Sequence, residues 1–134
     1  MIGSDGADRA KIADIVFNDP DQLDWLEELL HPRVVRENLA WRAEQESKPD
    51  PPRLTVTEVP LLYETAGERR FDAVVVITAP ESVRRERRPL ADDREQRLLA
   101  GEEKVALADY AYVNVGTLEE LDAFVADVVD KLTA

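Results

Sequence analysis

The chain has 134 residues, 44% hydrophobic and 34% charged, which suits one domain able to bury about two-thirds of its unfolded surface. Its net charge of −12 opposes phosphate backbones and anionic lipid headgroups, so nucleic-acid and membrane-surface partners are not expected. No cysteine and a single histidine, His31, argue against disulfides, thiol chemistry and a His/Cys zinc site.

Residues Met1 to Asp8 are small, polar and glycine-bearing, and predict a loosely attached start without a secretory leader. From Arg9 to Phe17, Ile12, Ile15 and Val16 fall at helical spacing, and Asn18-Asp19-Pro20 interrupts that helix. Leu23, Leu26, Leu29 and Leu30 predict one face of a second helix. Pro32 predicts the start of a third, with Val34, Val35 and Leu39 on its buried side. Three of the eight prolines fall between Ser47 and Pro52, which reads as a surface loop. The short β-branched runs Leu54 to Val59 and Ala73 to Thr78 suit buried parallel strands. Pro80 opens a charged helix through Arg88, and a further helix is expected from Asp92 to Ala108, with Gly101 a point of interruption. Tyr112 to Val115 reads as a third strand. Thr117-Leu118-Glu119-Glu120 fits a capping box, and Leu118, Leu121, Val125, Val128 and Leu132 give the last helix an apolar stripe. No run has the length and apolarity of a membrane span, and a cytoplasmic location is the simplest expectation.

The run Leu54-Thr55-Val56-Thr57-Glu58-Val59-Pro60-Leu61-Leu62-Tyr63-Glu64 delivers an acidic residue to the carboxyl end of a strand, where an open α/β sheet places its chemistry. It resembles the D-V-P-L-L-F-E signature of the dephospho-CoA kinase family, with Glu58 and Tyr63 replacing Asp and Phe. Three more blocks are similar to that family in the same order: Arg9 to Pro20, Leu29-Leu30-His31-Pro32, and Glu102-Glu103-Lys104 followed by Ala108-Asp109-Tyr110 and Asn114-Val115-Gly116-Thr117. The resemblance implies a P-loop kinase-like fold, an α/β three-layer architecture on a parallel sheet, incomplete at the N-terminus. It implies one domain over residues 1–134, with a helical acceptor-binding region at 20–52 and lid-like helices at 80–108. The implied activity is ATP-dependent phosphorylation of the ribose 3'-hydroxyl of dephospho-CoA in coenzyme A biosynthesis, with Mg2+ and ATP as cofactors. Such kinases grip phosphate with a G-x-x-x-x-G-K-[ST] loop. None of Lys11, Lys48, Lys104 and Lys131 follows a glycine, so these 134 residues contain no such loop and tight binding of ATP by this chain alone is not expected.

By resemblance, Glu58 is the catalytic carboxylate, positioning a hydroxyl or the magnesium shell, although a strand-end glutamate also serves simply as a solvated group. His31, Arg36, Pro60, Leu61 and Glu64 are the implied substrate-binding residues, set against a structural histidine and a solvated glutamate after a turn. Trp25 and Trp41 suit the core, or stacking on an adenine or pantetheine arm. Arg84, Arg85, Arg87 and Arg88 form a basic cluster where the family has its lid. Arg87 is the first lid candidate and Arg94 and Arg97 the next, while i,i+4 pairing with Glu86, Asp92, Asp93 and Glu95 gives the ordinary account. Asn114 is implied near the nucleotide base. In the implied strand order 2-3-1-4-5, the phosphate strand lies between the Glu58 strand and Ala73 to Thr78. Its absence predicts direct pairing of those two strands or exposed edges, hence self-association or a partner chain carrying the loop. A module that binds CoA-like molecules without catalysis, and a subunit of a split kinase, are the other readings of the same residues.

Overall fold

The computed structural model describes residues 2–3, 6–87 and 100–134, which divide into two compact units, Met1–Pro52 and Arg53–Ala134. The division falls at the end of the proline-bearing loop expected from Ser47. Arg94 and Arg97, and the expected helix before Ala100, lie outside the described residues.

In the first unit, β1 (Ile2–Gly3) pairs antiparallel with β2 (Gly6–Ala7), so the expected loose start carries a minimal hairpin, with Gly6 at φ 105° where a side chain would be strained. α1 (Arg9–Val16) starts at Asp8, whose Oδ1 accepts the Lys11 amide at 3.2 Å. It ends as expected, with the Asn18 side-chain amide donating to Asp14 O at 2.6 Å. Asp19 caps the next helix by accepting the amides of Asp21 and Gln22, and Pro20 sits at its first position, where a missing N–H costs nothing.

That helix, α2 (Pro20–Glu46), is continuous through Pro32, which corrects the expectation of two helices. Proline inside a helix removes one bond to the residue four positions back and kinks it, but the flanking turns keep their own bonds. The expected buried faces are also corrected. No α2 residue is fully buried; Leu29, Leu30, Val34, Leu39 and both tryptophans are exposed, Trp25 at 61%. Within the first unit, the short helix α1 packs on α2.

The second unit is built on β3 (Val75–Thr78) and β4 (Tyr110–Val113), which run parallel in the register Val75↔Tyr110 to Thr78↔Val113. A parallel pair needs a crossover, and α3 (Glu81–Arg87) and α4 (Gly101–Leu107) belong to it. β4 begins two residues earlier than the expected Tyr112. The Asn114 amide still donates to Thr78 O at 2.7 Å, and the Val115 amide then turns back to Val113 O at 3.0 Å, ending the ladder.

α5 (Leu118–Thr133) closes the chain. Its expected stripe is partly corrected: Val128 is buried, but Leu118 is 79% exposed, and Phe124, absent from the expected stripe, stacks on Tyr112 with ring centroids 4.9 Å apart. Leu54 to Val59 belongs to neither sheet of the described residues, and it does not pair with β3. A parallel strand cannot satisfy its backbone without a neighbour, whatever its residue propensities. Val56 accordingly stands 78% exposed, as do the side chains of Val75 (41%) and Ile77 (49%) on β3.

Candidate functional site

Glu58 is exposed, and the chain after it coils into one helical turn over Pro60 to Ala66. The Thr65 amide and hydroxyl donate to Leu61 O at 3.1 and 2.7 Å, the Ala66 amide to Tyr63 O at 3.1 Å and the Gly67 amide to Leu62 O at 2.7 Å. The last two bonds are those of a Schellman closure. Ala66 occupies its left-handed position at φ 51°, a conformation that costs an alanine about 1 kcal/mol relative to glycine. Gly67 cannot be enlarged without movement, because a Cβ there would lie 2.6 Å from Arg70 Nη2 and 3.2 Å from Leu62 Cδ1.

A distant segment holds this turn. Glu64 Oε1 pairs with Lys104 Nζ at 2.7 Å, and the two side chains are only 14% and 19% exposed. Lys104 projects from α4, which is seated on β3 so closely that a Cβ on Gly101 would lie 2.7 Å from Thr78 Oγ1. The sheet therefore fixes α4, and α4 fixes the turn. Beside Glu64, the Tyr63 hydroxyl and Glu68 Oε2 are buried with no hydrogen-bond partner among the described residues. Burial raises the Tyr63 phenol above its ordinary value, and the negative charges of Asp109 and Glu68 raise it further. Asp109 in turn accepts the Val74 amide at 2.7 Å, tying the entrance of β4 to that of β3.

A second group of candidates lies beyond the carboxyl ends of β3 and β4. Arg87 Nη1 donates to Asn114 O at 3.1 Å, so these two residues, each a candidate from the sequence for its own reason, are neighbours. Arg84 Nε donates to Ala79 O at 3.1 Å, whereas Arg85 makes an exposed i,i+4 pair with Glu81 at 2.5 Å, the ordinary helix-surface arrangement. The expected capping box is present. Thr117 Oγ1 accepts the Glu120 amide at 3.3 Å, and Glu120 Oε2 accepts the Thr117 amide at 2.8 Å, with that carboxylate folded over Gly116.

His31 and Arg36 both lie on α2, half-buried and exposed respectively, within the first unit. Pro60 and Leu61 open the turn, and Glu64 is drawn into a half-buried ion pair. Lys104 and Asp109 are not among the site residues that the sequence suggests. A readable signal exists for the lysine, since Gly101, Lys104, Val105 and Ala108 share a helix face and three of them are small or apolar.

No three His, Cys, Asp or Glu side chains among the described residues converge as metal ligands. Arg84 and Arg87 each direct one guanidinium N–H to a backbone carbonyl.

The model of the dephospho-CoA kinase family matches residues 1–120. The dephospho-CoA kinase of Chlamydia abortus is 41% identical over 125 residues, covering 85% of this chain and 60% of its own length. That of Bartonella henselae is 31% identical over 134 residues, covering 92% and 67%. Among solved structures, TT1252 from Thermus thermophilus is similar at a TM-score of 0.72 and 32% identity, covering 99% of this chain and 71% of the other. A parallel α/β protein, with Arg87 and Asn114 beyond the carboxyl ends of β3 and β4, is the class these observations define. The chain belongs to the dephospho-CoA kinase family, and it spans about three-fifths to two-thirds of the length of those two curated relatives.

Proposed function

We propose that this chain carries the acceptor turn and the sheet-end loops of a dephospho-CoA kinase, the enzyme that moves a phosphoryl group from ATP to the ribose 3'-hydroxyl of dephospho-CoA. The observation that carries this reading is the union of two family blocks in one half-buried contact: Glu64 of the E-V-P-L-L-Y-E run against Lys104 of the E-E-K segment. Conformational precision of that kind is what phosphoryl transfer asks of a protein, because the catalysis is mainly positioning and electrostatics. Glu58 remains the proposed carboxylate next to the acceptor hydroxyl, and Pro60 and Leu61 the proposed acceptor contacts. His31, Arg36 and Asn114 are proposed on the family resemblance alone. The proposed setting is cytoplasmic; no described helix is long and apolar enough to cross a membrane.

A glycine-rich loop with its lysine is the usual grip on ATP phosphates, and these 134 residues contain none, so the chain is proposed to be inactive alone. A subunit of a split kinase is the second reading. It is favoured by β3, which pairs only with β4 among the described residues and exposes Val75 and Ile77. The purified chain should bind dephospho-CoA more tightly than ATP in calorimetry and show no turnover above a no-enzyme control. Tighter binding of ATP counts against the acceptor reading. Turnover abolished by Glu58→Ala refutes inactivity, and turnover that appears only on adding a loop-bearing chain selects the second reading.

A further inference from the structure

We infer that Lys104 is a positioning residue for the acceptor turn, acting through Glu64 without touching the acceptor; the acceptor itself rests on the reading above. The turn has little of its own to define it. It is a single helical turn, too short to be stable by local bonds, and it closes through an alanine in the left-handed region. A contact from far along the chain adds to that definition. Lys104 Nζ reaches Glu64 Oε1 at 2.7 Å in a site that leaves the two side chains 19% and 14% exposed.

The pair is half-buried, and oppositely charged groups partly shielded from water attract more strongly than exposed ones, which favours conformations that keep them together. An arrangement of this kind penalises every alternative conformation of the turn that separates the two groups. Lys104 is well placed to impose that constraint, because its helix is held against β3 by the close approach of Gly101 to Thr78. A point charge on a helix anchored to the sheet is thus the reference against which Pro60, Leu61 and Glu64 are located.

Amide hydrogen exchange on Lys104→Met, Lys104→Arg and the exchanged pair Glu64→Lys with Lys104→Glu tests this directly. The Thr65 and Gly67 amides report the turn, and the Asn114 and Leu121 amides report the ladder end and α5. With Lys104→Met, Thr65 and Gly67 should exchange about tenfold faster relative to Asn114 and Leu121, and Lys104→Arg or the exchanged pair should restore most of that protection. Equal acceleration at all four amides, or none at the turn, overturns the inference. Should Lys104→Met fail to fold, Glu64→Gln, which keeps the side-chain volume, gives the same ratio. Dephospho-CoA affinity on the same proteins should fall about tenfold with Lys104→Met and return with Lys104→Arg. An unmodified chain that binds no dephospho-CoA would end the acceptor reading, while the exchange ratio would still decide the role of Lys104.

Discussion

The two units of this protein are held by different kinds of interaction. In Met1–Pro52 the side-chain contacts described are local: Asp8 with Lys11, Asn18 with Asp14, Asp19 with Asp21 and Gln22. In Arg53–Ala134, alongside local pairs such as Arg85 with Glu81 and Thr117 with Glu120, others join distant segments: Glu64 with Lys104, Val74 with Asp109, Arg87 with Asn114. The candidate residues of the second unit therefore owe their positions to tertiary structure, whereas His31 and Arg36 owe theirs to a helix and its caps. Local bonds of a helix define where a side chain leaves the backbone, and distant contacts define what it meets.

Removing a long-range contact of the second unit should have the largest effect on stability. Asp109→Ala takes away the charged acceptor of the Val74 amide, next to one of the few buried side chains, and should cost about 1.5–3 kcal/mol in urea denaturation. The same change removes one of the charges that raise the Tyr63 phenol, so an ultraviolet titration should show its pKa move downward. A cost under about 0.5 kcal/mol would mean that water satisfies Val74 as well as the carboxylate does.

A local cap within the second unit should matter less. Thr117→Ala deletes one half of the capping box and should cost about 1 kcal/mol. Glu119 also responds, because its carboxyl is held below its ordinary value by its own backbone amide and then by the Thr117 side chain. A lowered folded value means stability that is present above the unfolded pKa and lost as pH falls through the folded one. The variant should lose part of this acid dependence in melting curves recorded downward from neutral pH.

The smallest effect is expected on the long helix of the first unit. Val34 is 63% exposed, and Val34→Ala should change stability by no more than about 0.5 kcal/mol, in the stabilising direction, since alanine favours a helix over valine. A loss above about 1 kcal/mol would show that this face is covered in solution and would erase the contrast between the units.

Local chemistry made much of the architecture legible. Thr117 and Glu120 announced their capping box, Asn18-Asp19-Pro20 the break between α1 and α2, and β-branched Val75 to Thr78 the first strand of the parallel pair. The run Leu54 to Val59 had the same strand composition yet joins no ladder among the described residues, because propensity supplies a preference and only a neighbouring strand supplies the bonds. Pro32 failed as a boundary for a related reason: a helix can continue past one lost bond when the turns on either side remain intact. The four motif blocks identified the family from residues alone, and they named Glu64 without its partner. That Glu64 meets Lys104, Tyr63 approaches Asp109, and Arg87 reaches Asn114 depended on the parallel pairing of β3 with β4 and the seating of α4 on the sheet. Sequence spacing sets which face of an element a side chain occupies, while the distance between faces of separate elements exists only once they pack.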